Sequence, residues 1–350
     1  MKDSYKIKVF LTKDSFEEIA LFGDDYPNLN QIFRESAVFI LDMTEEELDQ
    51  SIEDTESVFA AFCNSYNIKT TAEPFVLKNM LTNKGNLVKH CRSLFIMDVN
   101  EEDAKKISEE YGVLIISKGK IDDNVFNQRF WRHHFIKDLK FKGNAISEWF
   151  DVLKDVPWLP MNSLIVSDNY LFAGSTDKLE ECVENVKGLL NAILPHSLSV
   201  EFHILISTKH PCCDEQKRNQ IVGDIMSYIK QKRNYNIKVE FVFSESIHQR
   251  KIITNYNIMV GDKGFVNFSN KKKKIIDDNP TYVCSVFQNI NNSIGDTEYS
   301  IAMVDLENIY KISDNVKKIN NSGVNDYTKR ITGDCQPNKT INNRLLMTII

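Results

Sequence analysis

The sequence lacks several features that would place it in a specialised class of proteins. No apolar run approaches the length of a membrane-spanning helix, and the leading residues 1–8 lack the apolar core of a signal peptide. The seven cysteines are scattered, without the paired spacing of a disulfide framework or of a zinc site. These absences predict a cytoplasmic protein with reduced cysteines and argue against a secreted or membrane-spanning one.

Common nucleotide-binding and hydrolase motifs are missing as well. The chain has no Walker loop, no dinucleotide-binding fingerprint, no Gly-x-Ser-x-Gly elbow and no His-Glu-x-x-His zinc motif. Internal repeats and long low-complexity tracts are also absent from the sequence. Nucleotide hydrolysis and the common hydrolase mechanisms therefore have no support.

What is present is an ordinary globular composition with an uneven charge. The 350 residues are 26% charged and 42% hydrophobic, which is enough to bury a sizeable core and predicts two domains. The formal net charge is -6, yet residues 1–60 alone hold 15 acidic and 5 basic side chains. The remainder is mildly basic, which weakly favours contact with a polyanion in the second half.

The first part of the chain alternates strand and helix patterns. Apolar segments predict strands at 8–11, 37–41, 94–97 and 113–116. A capping box, Thr44 with Glu47, predicts one long helix that runs to about residue 62. Asn100 and Gly112 bound a predicted helix over 101–110. Residues 1–120 are therefore predicted to form a layered α/β domain, acidic at its start.

The rest of the chain divides into a connector, a second domain and a tail. Residues 121–160 are predicted to connect the domains. Their aromatic and basic stretch 129–135 favours either a stacking surface for single strands or a helix that joins the domains. Residues 161–312 are predicted to be a second α/β domain that opens with a hairpin over 164–172. Residues 313–350 are polar and predict a loosely held tail.

The sharpest local pattern combines His248, Arg250 and Asn255 with the turn Gly261-Asp-Lys-Gly264. Residues two apart on a strand point to the same face, so His248 and Arg250 are predicted to reach one anion together. The plainer alternative is a hairpin whose histidine makes a local hydrogen bond.

This pattern resembles the His-x-Lys-x4-Asp motif and glycine-rich turn of the phospholipase D-like superfamily, over about residues 160–290. The resemblance implies a phospholipase D-like α/β domain in the second half. It places His248 at the nucleophile position, Arg250 at the phosphate-neutralising position and Asn255 at that of the orienting acid. Because the chain holds one copy of a motif that acts in pairs, the resemblance also implies a homodimer.

The departures from the family pattern favour binding over catalysis. Arginine still binds phosphate, and does so bidentately, but asparagine cannot stabilise an imidazolium as a carboxylate does. We therefore expect a phosphate-ligand binding protein, with nucleic acid as the first choice of ligand and the phospholipase D-like domain catalytically degenerate. An accessory protein of a bacterial defence or mobile-element locus fits this build by association alone.

Several lysines surround the motif. The residues expected to bind phosphate are Arg250, Lys251, Lys263, Lys271 and Lys272. The run 271–274 either steers a phosphate backbone or an anionic membrane surface toward Arg250, or is a solvated loop.

An active phosphodiesterase or nuclease is the alternative, and a purely structural interaction protein is a third possibility. It would act through His248 in a homodimer, or through Mg²⁺ held by Asp42 and Asp98. Each aspartate ends an apolar strand, where ligands gather in parallel sheets, and hard oxygen ligands suit Mg²⁺. The competing explanation is that both acids begin helix-entry turns. No cofactor is expected outside this alternative.

Overall fold

The computed structural model describes residues 5–25, 27–53, 57–120, 135–139, 146–173, 176–269, 274–287, 297–324 and 326–348. The chain divides into two compact units. The first comprises Met1–His133, Leu159–Met161 and Ser285–Val304, and the second comprises the remaining segments. Helices accompany a parallel sheet and a larger mixed sheet, which confirms the predicted α/β class.

The smaller sheet belongs to the first unit and is wholly parallel. Its strands are β1 (Ile7–Leu11), β2 (Ala37–Leu41), β3 (Ile68–Thr70), β4 (Leu94–Met97) and β5 (Leu114–Ser117). The accompanying helices are α1 (Lys13–Leu21), α2 (Pro27–Ser36), α3 (Glu45–Glu53), α4 (Val58–Cys63), α5 (Val76–Thr82) and α6 (Glu101–Tyr111). Short 3₁₀ turns span Gly23–Asp25, Lys84–His90 and Lys118–Lys120. The apolar strands β4 and β5 are fully buried, as expected in a parallel sheet.

The strand order of this sheet is β3-β2-β1-β4-β5. Strand β1 pairs with β2 along its whole length and with β4 through Val9 and Phe10. The chain therefore builds outward on one side of β1 and then crosses to the other side. That reversal is a topological switch point, where ligands commonly bind in open α/β sheets.

Most predictions made from local sequence patterns in this unit agree with the structure. The predicted strands at 37–41 and 94–97 are confirmed. The capping box is confirmed, because Thr44 N donates to Glu47 Oε2 at 2.8 Å and Glu47 N donates to Thr44 Oγ1 at 3.1 Å. The prediction of one long helix beyond it is wrong, because α3 ends at Glu53 and Ser57 caps a separate helix, α4.

The larger sheet has eight strands. They are β6 (Phe135–Leu139), β7 (Ser163–Asp168), β8 (Phe202–Thr208), β9 (Ile237–Phe243), β10 (Arg250–Thr254), β11 (Asn257–Gly261), β14 (Asn279–Ser285) and β15 (Arg330–Gly333). A separate ribbon pairs β12 (Phe268–Ser269) with β13 (Lys274–Ile275). The helices are α7 (Trp149–Leu153), α8 (Thr176–Ile193), α9 (Glu215–Gln231), α10 (Glu298–Asn321) and α11 (Arg344–Met347).

The order of this sheet is β15-β9-β8-β7-β10-β11-β14-β6. Strands β7, β8 and β9 are parallel, whereas β10 runs antiparallel to β7. The crossovers through α8 and α9 build outward from β7 on one side, and β10 then returns to its other side. The boundary between β7 and β10 is therefore the switch point of the larger sheet.

Two sequence predictions in this half are wrong. Residues 170–172 form a turn in place of the second strand of a hairpin, because Asp168 Oδ1 accepts a hydrogen bond from Tyr170 N at 2.8 Å and turns the chain away. Residues beyond 313 are not loosely held. Helix α10 continues to Asn321, Ile331 of β15 pairs with Val242, and Leu345 and Leu346 are buried.

Two predicted basic segments lie outside the described residues: 129–134 of the aromatic stretch, and 271–273 of the lysine run, with Lys271 and Lys272.

Among the residues that the structure describes, no helix is both long and apolar enough to cross a bilayer.

Candidate functional site

The carboxyl edge of the larger sheet holds one of the candidate residues, Arg250. Strand β10 is antiparallel to β7, so its first residue, Arg250, pairs with Asp168, the last residue of β7. In the same row, Thr208 ends β8 and pairs with Phe243 at the end of β9. The switch point between β7 and β10 thus places Arg250 where ligands gather in open α/β sheets.

The buried side chain of Asp168 holds two loops at this edge. It is fully buried, and its carboxylate accepts hydrogen bonds from Tyr170 N at 2.8 Å and Phe265 N at 3.0 Å. Burial raises the pKa of Asp168, while the two backbone hydrogen bonds and the charge of Arg250 oppose that rise. The carboxylate therefore fixes two loops and is not exposed to a ligand.

The glycine-rich turn is explained by its approach to Asp168. Gly264 has φ +87°, and a Cβ there would lie 2.5 Å from Asp168 Oδ2. A Cβ on Gly261 would lie 2.8 Å from the carbonyl oxygen of Gly264. Both glycines are thus required by close backbone packing.

Three buried asparagines stabilise the same turn through hydrogen bonds. Asn279 Nδ2 donates to the carbonyl oxygen of Gly264 at 2.9 Å, and Asn279 Oδ1 accepts from Lys263 N at 2.9 Å. Asn267 Nδ2 donates to the same Gly264 oxygen at 3.3 Å, and Asn185 Oδ1 accepts from Asn267 N at 3.0 Å. A fully bonded polar network of this kind makes the turn rigid.

Arg250 is held in place by a carbonyl group and an aromatic ring. Its Nη1 donates to the carbonyl oxygen of Asp262, and its Cζ lies 4.9 Å from the ring centroid of Tyr170. The Tyr170 side chain is half-exposed. Among the described residues, no carboxylate forms an ion pair with Arg250. The guanidinium therefore keeps N–H groups available beside an exposed aromatic ring.

The two described lysines of the predicted site are already paired. Lys251 Nζ lies 2.5 Å from Asp305 Oδ2, and Gln249 donates to the same carboxylate. Lys263 Nζ lies 2.7 Å from Asp277 Oδ2. Both lysines are thus in ion pairs within the chain, whereas Arg250 forms none with the described residues.

The structure does not bring His248, Arg250 and Asn255 together. His248 is exposed and precedes β10, which begins at Arg250, so strand alternation does not govern its direction. Asn255 follows the far end of β10 and is buried. Its Oδ1 accepts from Asn162 N at 3.2 Å and Ser163 N at 3.1 Å, at the amino end of β7. Asn255 is therefore placed to fix a turn, away from His248.

Asp42 and Asp98 differ in their surroundings. Asp42 Oδ1 accepts from Val76 N at 2.7 Å and its Oδ2 accepts from Leu77 N at 3.2 Å, so its carboxylate caps helix α5. Asp98 is exposed at the end of β4, and β1 separates β4 from β2. No group of three or more His, Cys, Asp or Glu suited to a metal occurs in the part of the chain that the structure describes.

Asp168 and Asp305 are site residues that sequence reasoning missed. The signal for Asp168 was present, since Ser167-Asp-Asn169 directly follows the apolar run 164–166. These residues were predicted to be the tip of a hairpin, whereas Asp168 is the last residue of a strand, β7. Asp305 lies within a helix, and no local pattern connects it to Lys251.

Comparison with known proteins supplies no family for this chain. No protein-family model matches the sequence, and no curated protein matches it either. A functional assignment therefore depends on the geometry of the carboxyl edge.

Proposed function

We propose that the chain binds a phosphate-bearing ligand through Arg250 at the switch point between β7 and β10, with nucleic acid as the first choice. The observation that carries the proposal is the state of Arg250. Its guanidinium is positioned by the Asp262 carbonyl and the Tyr170 ring, and no described carboxylate is paired with it. A positioned, unpaired guanidinium forms strong bidentate hydrogen bonds with phosphate oxygens.

Binding without efficient catalysis is the proposed role. A phosphohistidine mechanism needs an acid to orient the histidine, and Asn255 lies at the far end of β10. The domain then acts as a degenerate phospholipase D-like module, with a homodimer as its proposed assembly. The proposed location is the cytoplasm, in keeping with seven cysteines that form no disulfide. A role as accessory protein of a bacterial defence or mobile-element locus is part of the same proposal.

A salt titration of binding tests the proposal. Fluorescence anisotropy with labelled DNA and RNA would be measured for wild type, Arg250→Ala and Lys318→Ala. Lys318 serves as the control, since it is an exposed cation on α10 that is paired with Asp314 at 2.7 Å. We expect Arg250→Ala to weaken binding by about 1–3 kcal/mol and Lys318→Ala to have little effect. Equal affinity of wild type and Arg250→Ala at every salt concentration would refute the role of Arg250.

The hydrolytic alternative has a separate test. If His248 is a nucleophile in a homodimer, His248→Ala abolishes phosphodiester cleavage, the activity survives EDTA, and light scattering shows a dimer. If Asp42 and Asp98 hold Mg²⁺, EDTA and Asp98→Asn abolish cleavage instead. The engagement of both Asp42 oxygens by α5 does not favour the metal version.

A further inference from the structure

Two exposed tyrosines stand at the same edge of the larger sheet. Tyr170 is 50% exposed and Tyr327 is 63% exposed. A tyrosine ring is a large apolar surface with a polar tip, and leaving it in water forgoes the free energy of burial. Such rings are suited to contact a partner that has flat apolar faces.

The Tyr170 ring is positioned beside the proposed phosphate site. Its backbone N–H donates to buried Asp168, which fixes the residue at the end of β7. The guanidinium of Arg250 lies against the ring, with Cζ 4.9 Å from its centroid. The cation and the ring therefore form one stacked pair, and its exposed part offers a base a flat surface and a phosphate a positive charge.

Tyr327 lies in the turn that precedes β15. Its ring centroid lies 5.9 Å from that of His210, which in turn lies 5.7 Å from that of Phe243. Thr328 reinforces the turn, because its N–H and hydroxyl both donate to Asp326 Oδ1, at 3.1 and 2.6 Å. The exposed ring is thus supported by buried neighbours.

The two rings belong to one row of strand ends. Tyr170 follows Asp168 of β7, whereas Tyr327 packs on His210, which follows Thr208 of β8. Tyr327 precedes β15, which lies three strands from β7, so with about 4.8 Å between adjacent strands the two points of attachment are separated by about 14 Å. That separation calls for several nucleotides of an extended strand.

We propose that the ligand of this edge is single-stranded nucleic acid, with bases stacked on Tyr170 and Tyr327 beside the Arg250–phosphate contact. The inference rests on the proposed function and specifies its ligand class. Bases in a duplex stack on one another and are not free to cover a side chain, whereas unpaired bases are.

The charges of the edge support a large contribution from stacking. Acidic residues accompany the cations there: Asp262 follows β11, Glu245 follows β9 and pairs with Lys209 at 3.4 Å, and Asp326 precedes Tyr327. These acids limit attraction of a phosphate backbone by charge alone. We therefore expect a shallow dependence of affinity on salt, in contrast to proteins that bind through many lysines.

The experiment compares single and double strands across matched tyrosine variants. Anisotropy would be measured with labelled oligothymidylate of about twelve nucleotides and with a duplex of equal length. Tyr170→Leu and Tyr327→Leu remove a ring, and Tyr170→Phe and Tyr327→Phe keep it. We expect each leucine variant to lose about fivefold or more in affinity for the single strand, each phenylalanine variant to match wild type, and the duplex to bind more weakly than the single strand.

The outcomes separate this inference from the proposed function. If Arg250→Ala weakens binding but single strand and duplex bind equally, or leucine and phenylalanine variants bind alike, the stacking inference is overturned and the phosphate contact stands. If Arg250→Ala has no effect, the proposed function fails. Thermal melting of each variant shows whether any loss reflects unfolding.

Discussion

The carboxyl edges of the two sheets contain polar residues of similar types, yet the chain uses them differently. In the smaller sheet these polar side chains form hydrogen bonds with backbone groups. Thr12 caps α1, Asp42 caps α5, Asn100 caps α6, and Ser117 Oγ donates to the Val99 carbonyl oxygen at 2.6 Å. In the larger sheet Asp168 also accepts hydrogen bonds from backbone N–H groups. Arg250, beside it at the same edge, forms no ion pair with a carboxylate of the described residues.

The larger edge also has unsatisfied polar atoms. Ser207 Oγ, Thr208 Oγ1 and His210 Nε2 are buried without a hydrogen-bond partner in the described part of the chain. His210 Nδ1 is already engaged by the carbonyl oxygen of Pro211 at 2.6 Å, so that nitrogen carries the proton. Local capping thus satisfies the polar side chains of one edge, while the other edge keeps buried polar atoms that no described group satisfies.

The largest effect on stability is expected at the turn that supports the open edge. In Gly264→Ala the new Cβ would meet Asp168 Oδ2 at 2.5 Å in a left-handed backbone. Displacing that carboxylate would also break its bonds to the loops, so we expect a loss of about 3 kcal/mol or more. The matched control is Gly223→Ala, in helix α9, where nothing lies within 4 Å of the new Cβ. It should be neutral or stabilising by up to about 1 kcal/mol. Urea unfolding measures both, and equal stability of the two variants would contradict the packing argument.

The amino side of the larger sheet provides a closed counterpart within the same unit. There Asn342 N donates to both carboxylate oxygens of Glu240, at 2.9 and 3.1 Å, and Asn343 and Arg344 bind carbonyl groups near the strand starts. Glu240 is buried, and burial raises its pKa to about 7. Residues 342–344 of the chain itself therefore supply the hydrogen-bond partners of the polar groups on this side.

Glu240 makes this closed side sensitive to pH. Its folded-state pKa lies above the ordinary glutamate value near 4.3, so the folded form binds the proton more tightly. The resulting stability is fully present below about pH 4 and is lost as pH rises through 7. Between pH 5 and 8 we expect wild type to lose roughly 2–3 kcal/mol relative to Glu240→Gln. Unfolding free energies measured across this range test the sign, and parallel curves for the two proteins would exclude it.

How far the sequence predicts these structures differs between the two edges. The smaller sheet follows from apolar strands and caps a few residues away, such as Thr44 with Glu47, because those interactions are local. The larger edge depends on contacts between residues far apart in sequence, such as Asp168 with Phe265 and Lys251 with Asp305. Pattern reasoning identified Arg250 through a short motif, but it also grouped Asn255 with it. The strand direction of β10 places Asn255 at the opposite end, and spacing alone does not reveal that.

A smaller effect is expected at the closed edge of the first unit. Asp42→Ala removes the acceptor of two backbone N–H groups at the start of α5, and we expect a loss of about 1–2 kcal/mol, the scale of a helix cap. Asp98→Ala, at an exposed strand end, should stay within about 0.5 kcal/mol. Hydrogen exchange of residues 76–82 reports the local effect without requiring the two units to unfold together. Faster exchange there in Asp98→Ala than in Asp42→Ala would reverse the assignment of roles.

A small effect on stability is expected at Arg250 itself, and this separates a binding residue from a structural one within a single strand. Arg250→Ala removes an exposed cation–π contact and one hydrogen bond to a carbonyl group, so we expect at most about 1 kcal/mol. Lys251→Ala, one residue along, leaves the nearly buried carboxylate of Asp305 without its cation and should cost about 1–3 kcal/mol. In ligand binding the order should reverse, because Lys251 is already paired and Arg250 is not. Urea unfolding and anisotropy on the same two variants test this directly. If Arg250→Ala proves the more destabilising of the two, then the open edge is held together by Arg250 as tightly as the closed edge is held by Asp42, and the contrast between them disappears.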